Sequence, residues 1–128
     1  MQIKESGEDY LEMILMLQNK GGPVRSIDIA EKMNLSRASV SVAMKNLRNA
    51  GYITMDANHE ITLTSKGREL AEVVYERHLL FLELLTNLGV DHQVALNDAC
   101  HMEHALSAES FQALKKYFSE KEPIPSNK

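Results

Sequence analysis

Apolar residues recur at helical spacing along most of this chain, and Gly, Pro, Asn or Ser marks the breaks between the periodic stretches. In residues 7–19 Leu11, Ile14 and Leu15 form the inward stripe of an amphipathic helix, which Lys20-Gly21-Gly22-Pro23 ends. Ser26 is expected to cap a short helix from Ile27 to Met33, with Ala30 where close helix packing needs a small residue. Asn34 and Leu35 make a tight turn, which Leu35 is expected to fill. Ser36 caps a second helix from Arg37 to about Ala50, with Val40, Met44 and Leu47 inward and Gly51 as its stop. A short helix, a tight turn and a longer helix that opens with small polar residues form the helix-turn-helix pattern.

The period then changes. Tyr52–Met55 and Glu60–Leu63 read as two short strands around the polar turn Asp56–His59, which makes a wing directly after the second helix. His59, in that turn, is an exposed turn residue or a neighbour of phosphate. Thr64 or Ser65 caps a long helix from 66 to about 88 carrying Leu70, Val73, Val74, Leu80, Phe81, Leu84, Leu85 and Leu88. In its second half apolar positions cover more than one face, which implies burial on two sides and most simply a dimer interface. Gly89 ends it, Asp91 caps the next helix, and Ser107 caps a last one over Glu109–Phe118. The expected fold is mostly α: a winged helix-turn-helix over 1–65, three helices for dimerisation over 66–122, and a Pro-containing tail over 123–128.

Composition changes the picture in two ways. Net charge is -4, which by itself does not point to nucleic acid, but the charges are segregated. Residues 20–55 hold Lys20, Arg25, Lys32, Arg37, Lys45 and Arg48 against Asp28 and Glu31, whereas residues 1–19 hold Glu5, Glu8, Asp9 and Glu12 against Lys4. A basic block on a helix-turn-helix points to double-stranded DNA. Residues 36–46 are expected in a major groove. Arg25, Ser36, Arg37, Ala38, Ser39, Ser41, Val42 and Lys45 are the candidate contacts, the cations on phosphates. The lone cysteine excludes an internal disulfide and fits a reducing, cytoplasmic setting. No apolar run reaches the length of a membrane span, and no signal-peptide core opens the chain.

The densest chemistry lies in Asp98-Ala99-Cys100-His101-Met102-Glu103-His104-Ala105-Leu106-Ser107, which contains no Gly or Pro and so is expected to be helical throughout. On a helix Cys100, Glu103 and His104 share one face, while Ala99, Met102, Ala105 and Leu106 turn toward a core. A soft sulfur, a hard oxygen and a borderline nitrogen together make half of a transition-metal site, or else a solvated polar face with a buried Cys. His101 lies at the margin of that face, beside the ligands or facing water rather than among them. Asp9 and Glu12, three residues apart, make a solvated acidic face at a helix N-terminus unless a cation partners them.

Asp9-Tyr10-Leu11-Glu12, Leu63-Thr64-Ser65-Lys66-Gly67, Arg77-His78 and Asn97 to Ser107 together resemble the diphtheria-toxin-repressor and manganese-transport-regulator family over residues 6 to about 120. That resemblance implies a dimeric repressor that binds operator DNA when loaded with Fe(II) or Mn(II), with Zn(II) or Co(II) as substitutes in vitro. It implies that Asp9, Glu12, His78, Cys100, Glu103 and His104 converge on the metal. The chain departs from the pattern in several places. Asp9 follows the manganese branch, where the iron branch has Met. Cys100 follows the iron branch, where the manganese branch has Glu. Leu82 and Leu96 stand where the iron branch would supply further ligands of its ancillary site. Val42 replaces a polar residue of the iron branch, and no counterpart of the C-terminal SH3-like domain is expected after Lys128. The alternative is a winged-helix regulator of the multidrug-resistance type, sensing a small ligand or oxidation at Cys100. An enzyme is not expected. His-Glu-x-x-His is missing, and Glu103 and His104 are adjacent where a di-iron oxidase needs Glu-x-x-His.

Overall fold

The computed structural model describes residues 5–120, which fold as six helices and one two-stranded sheet. They form two compact units that divide between Val73 and Val74, inside the fourth helix. None of the described helices is long and apolar enough to cross a membrane.

The first unit holds α1 (Glu5–Asn19), α2 (Ser26–Met33), α3 (Arg37–Asn49), β1 (Ile53–Met55), β2 (Ile61–Leu63) and the start of α4 (Ser65–Asn87). The stripes expected from periodicity are the ones that pack: Leu11, Ile14 and Leu15 on α1 and Val40, Met44 and Leu47 on α3 are all buried. Two local expectations change. The N-cap of α2 is Arg25 rather than Ser26, because the Asp28 carboxylate accepts the Arg25 N–H at 2.9 Å and closes the first turn one residue earlier. Leu35 does not fill the turn between α2 and α3 and stays 42% exposed. Asn34 makes that turn instead. It adopts the left-handed region at φ 56°, and the Leu35 N–H then reaches the Ala30 carbonyl at 3.0 Å. That geometry is a Schellman-type stop, available to Asn at little cost. Ser36 caps α3 as expected, its hydroxyl accepting the Ser39 N–H at 3.1 Å.

The wing is antiparallel, with Ile53 opposite Leu63, Thr54 opposite Thr62 and Met55 opposite Ile61. Its turn is organised by Asp56, whose Oδ1 accepts the N–H groups of Asn58 at 2.8 Å and Glu60 at 2.9 Å. Thr64 fastens the start of α4 to the end of α3: its hydroxyl donates to the Gly51 carbonyl at 2.7 Å and accepts the Gly67 N–H at 3.1 Å. Gly67 is required there, since a Cβ would lie 2.0 Å from the Tyr52 carbonyl oxygen.

The second unit holds the rest of α4, α5 (His92–Met102) and α6 (Ala108–Glu120). Gly89, at φ 96°, closes α4, and Asp91 caps α5 by accepting the N–H of Gln93 at 3.1 Å. Phe81, Ala99 and Phe111 form its buried centre, with the two rings edge to face at 6.2 Å. Phe81 is therefore packed inside its own chain and is not surface for a partner. Among the described residues of this unit, the large apolar side chains left exposed are Leu79, Leu88, Val94 and Tyr117.

Candidate metal centre

The helix expected to run through residues 98–107 stops at Met102. Glu103 is its C-cap, and Glu103 to Leu106 form a turn before Ser107 caps α6. Neither Gly nor Pro breaks it. The break is held by Arg77 of α4, whose Nη1 donates to the carbonyl of Glu103 at 3.2 Å and to that of Leu106 at 2.8 Å. A helix end leaves its last carbonyls without partners, and a guanidinium with several fixed donors satisfies two at once. The same guanidinium lies 5.1 Å from the centre of the Phe111 ring, a cation–π contact that ties α4 to α6. One consequence is that Ala105, expected to face a core, is exposed.

His78 Nδ1 lies 3.1 Å from Glu103 Oε1 and 4.0 Å from Cys100 Sγ. One ligand-capable atom from each of His78, Cys100 and Glu103 falls within 4.8 Å of the others. Glu103 is fully buried and His78 is 7% exposed, whereas Cys100 is exposed, so water reaches the cluster from the thiol side. The Tyr75 ring stacks on His78 at 6.5 Å and helps fix the imidazole plane. Glu103 Oε2 is buried without a hydrogen-bond partner. A carboxylate oxygen withdrawn from water and left unpaired costs free energy, and a cation bound beside it removes that cost. The donor set, an imidazole, a thiolate and a carboxylate, suits a divalent first-row metal.

Cys100 and Glu103 share one helical face as expected, since Glu103 keeps helical backbone angles and its N–H still reaches the Ala99 carbonyl at 3.0 Å; the departure from the expected helix begins at His104. His104 sits in the turn after Glu103, half-buried and outside the three-residue cluster. His101 is exposed, with Nδ1 donating to the Asn97 carbonyl at 2.9 Å, which occupies it within its own helix. Asp9 and Glu12 lie on α1 in the first unit, Asp9 half-buried and Glu12 buried. Arg77 was visible beside His78 in the sequence but had no assigned role, since periodicity does not reveal a capping guanidinium from another helix.

Of the candidate DNA contacts, Ser36, Arg37, Ala38, Ser39, Ser41, Val42 and Lys45 are all exposed along α3. Arg25 differs: it is half-buried, and its Nε donates to the Asn58 carbonyl at 3.1 Å, so it tethers the wing turn to the start of α2.

A winged helix-turn-helix joined to a helical unit that gathers imidazole, thiol and carboxylate is the architecture of a metal-responsive transcriptional regulator. The chain belongs to the iron-dependent repressor family: residues 2–59 match its N-terminal DNA-binding domain and residues 64–126 match its metal-binding and dimerisation domain. It is 36% identical over 115 residues to a helix-turn-helix-type transcriptional regulator of Methanocaldococcus jannaschii, covering 88% of this chain and 92% of that protein. It is 33% identical over 114 residues to the transcriptional regulator MntR of Escherichia coli, covering 89% and 74%. Among solved structures it resembles the manganese regulator SloR, with a TM-score of 0.77 and 29% identity over 94% of this chain and 56% of that one. A manganese-dependent transcriptional repressor in complex with manganese gives 0.79 and 27%, over 93% and 58%. The chain thus spans little more than half the length of these two proteins. Membership of this family displaces the multidrug-resistance alternative.

Proposed function

We propose that this protein is a homodimeric repressor that binds operator DNA when loaded with Fe(II) or Mn(II). The observation that carries the reading is the convergence of His78, Cys100 and Glu103 around a buried carboxylate oxygen that lacks a hydrogen-bond partner. Asp9, Glu12 and His104 are the further ligands in this reading. Support comes from their residue types and from relatives whose names specify manganese. When bound, the ion supplies a fixed positive charge that neutralises the clustered carboxylates and the thiolate.

The chain's own residues do the rest. Arg77 holds the turn that presents Glu103, and Tyr75 orients His78. Ligands drawn from α1 as well as from α4 and α5 give the ion unequal affinity for different arrangements of the chain. Unequal affinity is what biases a conformational equilibrium. In the loaded dimer the two copies of α3 would enter successive major grooves roughly 34 Å apart. The test is duplex-DNA binding titrated with Fe(II), Mn(II), Co(II) and Zn(II) against a chelator-treated control, under anaerobic conditions. Metal should raise affinity by about 1–3 kcal/mol or more, and equal binding with and without chelator would refute the reading.

A further inference from the structure

We infer that Val42 is a base-reading residue that recognises the 5-methyl group of thymine in the major groove. Val42 lies at the centre of the outward face of α3. The helical step places it roughly 160° around the axis from both Val40 and Met44, which are buried. It is 61% exposed, among the most exposed large apolar side chains of the described residues. Ala38, four residues earlier, is exposed on the same face and extends the apolar strip by one turn. Ser36 is occupied at the N-cap, its hydroxyl bonded to the Ser39 hydroxyl at 2.8 Å, so neither serine competes to cover the valine.

Charge says what covers this face. Arg37, Lys45 and Arg48 are exposed on α3, and the helix has no carboxylate. The matched family domain containing α3 is the DNA-binding one. An isopropyl group offers neither donor nor acceptor, so it cannot read the polar edges that distinguish most base pairs. The apolar feature of the major-groove edge is the thymine methyl. If Val42 faced a guanine O6 or an adenine N7 instead, it would desolvate an acceptor and return nothing. The geometry therefore points to an A·T pair at the position opposite Val42, with Lys45 and Arg37 fixing register through phosphates.

The inference rests on the DNA-binding reading above, and the experiment separates the two. The full chain, loaded with Mn(II) or with Fe(II) under anaerobic conditions, selects sites from a random-sequence duplex library. Each thymidine of the selected site is then replaced in turn by deoxyuridine, which removes only the methyl. At one thymidine per half-site wild type should lose about four-fold in affinity, the worth of one buried methyl. Val42→Ala, at an exposed position that leaves the fold intact, should bind the thymidine and deoxyuridine duplexes alike while keeping its salt dependence. A selected site bound equally well with deoxyuridine at every position would overturn the assignment. Persistent methyl discrimination in Val42→Ala would do the same. Failure to enrich any sequence would overturn the DNA-binding reading and this inference with it.

Discussion

In the proposed site metal preference would turn on single residues, and Cys100 is the one to change. A thiolate favours Fe(II), Co(II) and Zn(II) over Mn(II), whereas the carboxylates of Glu103, Asp9 and Glu12 are hard donors that suit Mn(II). Raw affinity rises from Mn to Fe to Co whatever the ligands, so selectivity for Mn(II) requires oxygen count and geometry. The mixed set here predicts a response to Fe(II) at least equal to that to Mn(II), with tight Zn(II) binding that activates poorly. Cys100→Glu should shift the response toward Mn(II), and Asp9→Met toward Fe(II), measured as DNA binding at matched free metal. An unchanged Mn-to-Fe ratio in Cys100→Glu, or full metal response in Cys100→Ala, would remove Cys100 from the site. Metal affinity should also weaken as pH falls, because the thiol must lose its proton and the imidazole must be neutral to coordinate. Isothermal titration in two buffers of different ionisation enthalpy would register the released protons.

Two elements carry their own tests, and they show what the sequence could and could not disclose. The winged helix-turn-helix was legible because its signals are local: the apolar period, Ser36 as cap, Gly51 as stop and the turn at Asp56. Where a residue from another element decides the outcome, local signals fail. Residues 98–107 look helical, and the sequence does not disclose that Arg77 from α4 holds the turn after Glu103 by donating to the carbonyls of Glu103 and Leu106. Removing that guanidinium in Arg77→Met should let α5 extend past Glu103 and loosen the hold on Glu103 beside His78. Metal affinity should fall by roughly 10- to 100-fold, the usual loss when a residue that orients a ligand is removed. NMR secondary shifts over 102–107 should become more helical, and unchanged shifts would refute this account of the break. Gly67 gives the second test. In the sequence the motif Leu63-Thr64-Ser65-Lys66-Gly67 carries only a resemblance, and the physical need for its glycine is the approach of the Tyr52 carbonyl oxygen to within 2.0 Å of where a Cβ would stand. Backbone cannot yield as a flexible side chain does, so Gly67→Ala should cost about 1–3 kcal/mol or more in denaturant unfolding. A neutral result would show that α4 can shift at its first turn.

At the scale of the whole molecule the question is what covers the second unit. Leu79, Leu88, Val94 and Tyr117 are between 47% and 61% exposed on the very unit that matches the family's dimerisation domain. Apolar side chains scattered singly on a surface need no explanation, but several on one small helical unit favour a partner. The expected two-sided surface of α4 rested on Leu80, Phe81, Leu84 and Leu85; Phe81 belongs to the internal core, the three leucines are half-buried, and Leu79 takes the outward place. Leu79 also lines an open cleft with Glu76, Leu80, Glu83, Phe111 and Lys115, and Lys115 pairs with Glu76 beside it. A second copy covering this region would remove Leu79 from water, and Leu79→Glu would then bury a carboxylate against apolar surface. That change should cost the dimer several kcal/mol while leaving the exposed monomer position unstrained. Sedimentation velocity at micromolar concentration should show wild type as a dimer and Leu79→Glu as a monomer. The monomer should still bind metal through His78, Cys100 and Glu103, which come from one chain, yet lose most of its operator affinity because one α3 reaches one half-site. A wild-type monomer would end the dimer proposal. A monomeric variant with full operator affinity would show instead that a single copy is the DNA-binding unit.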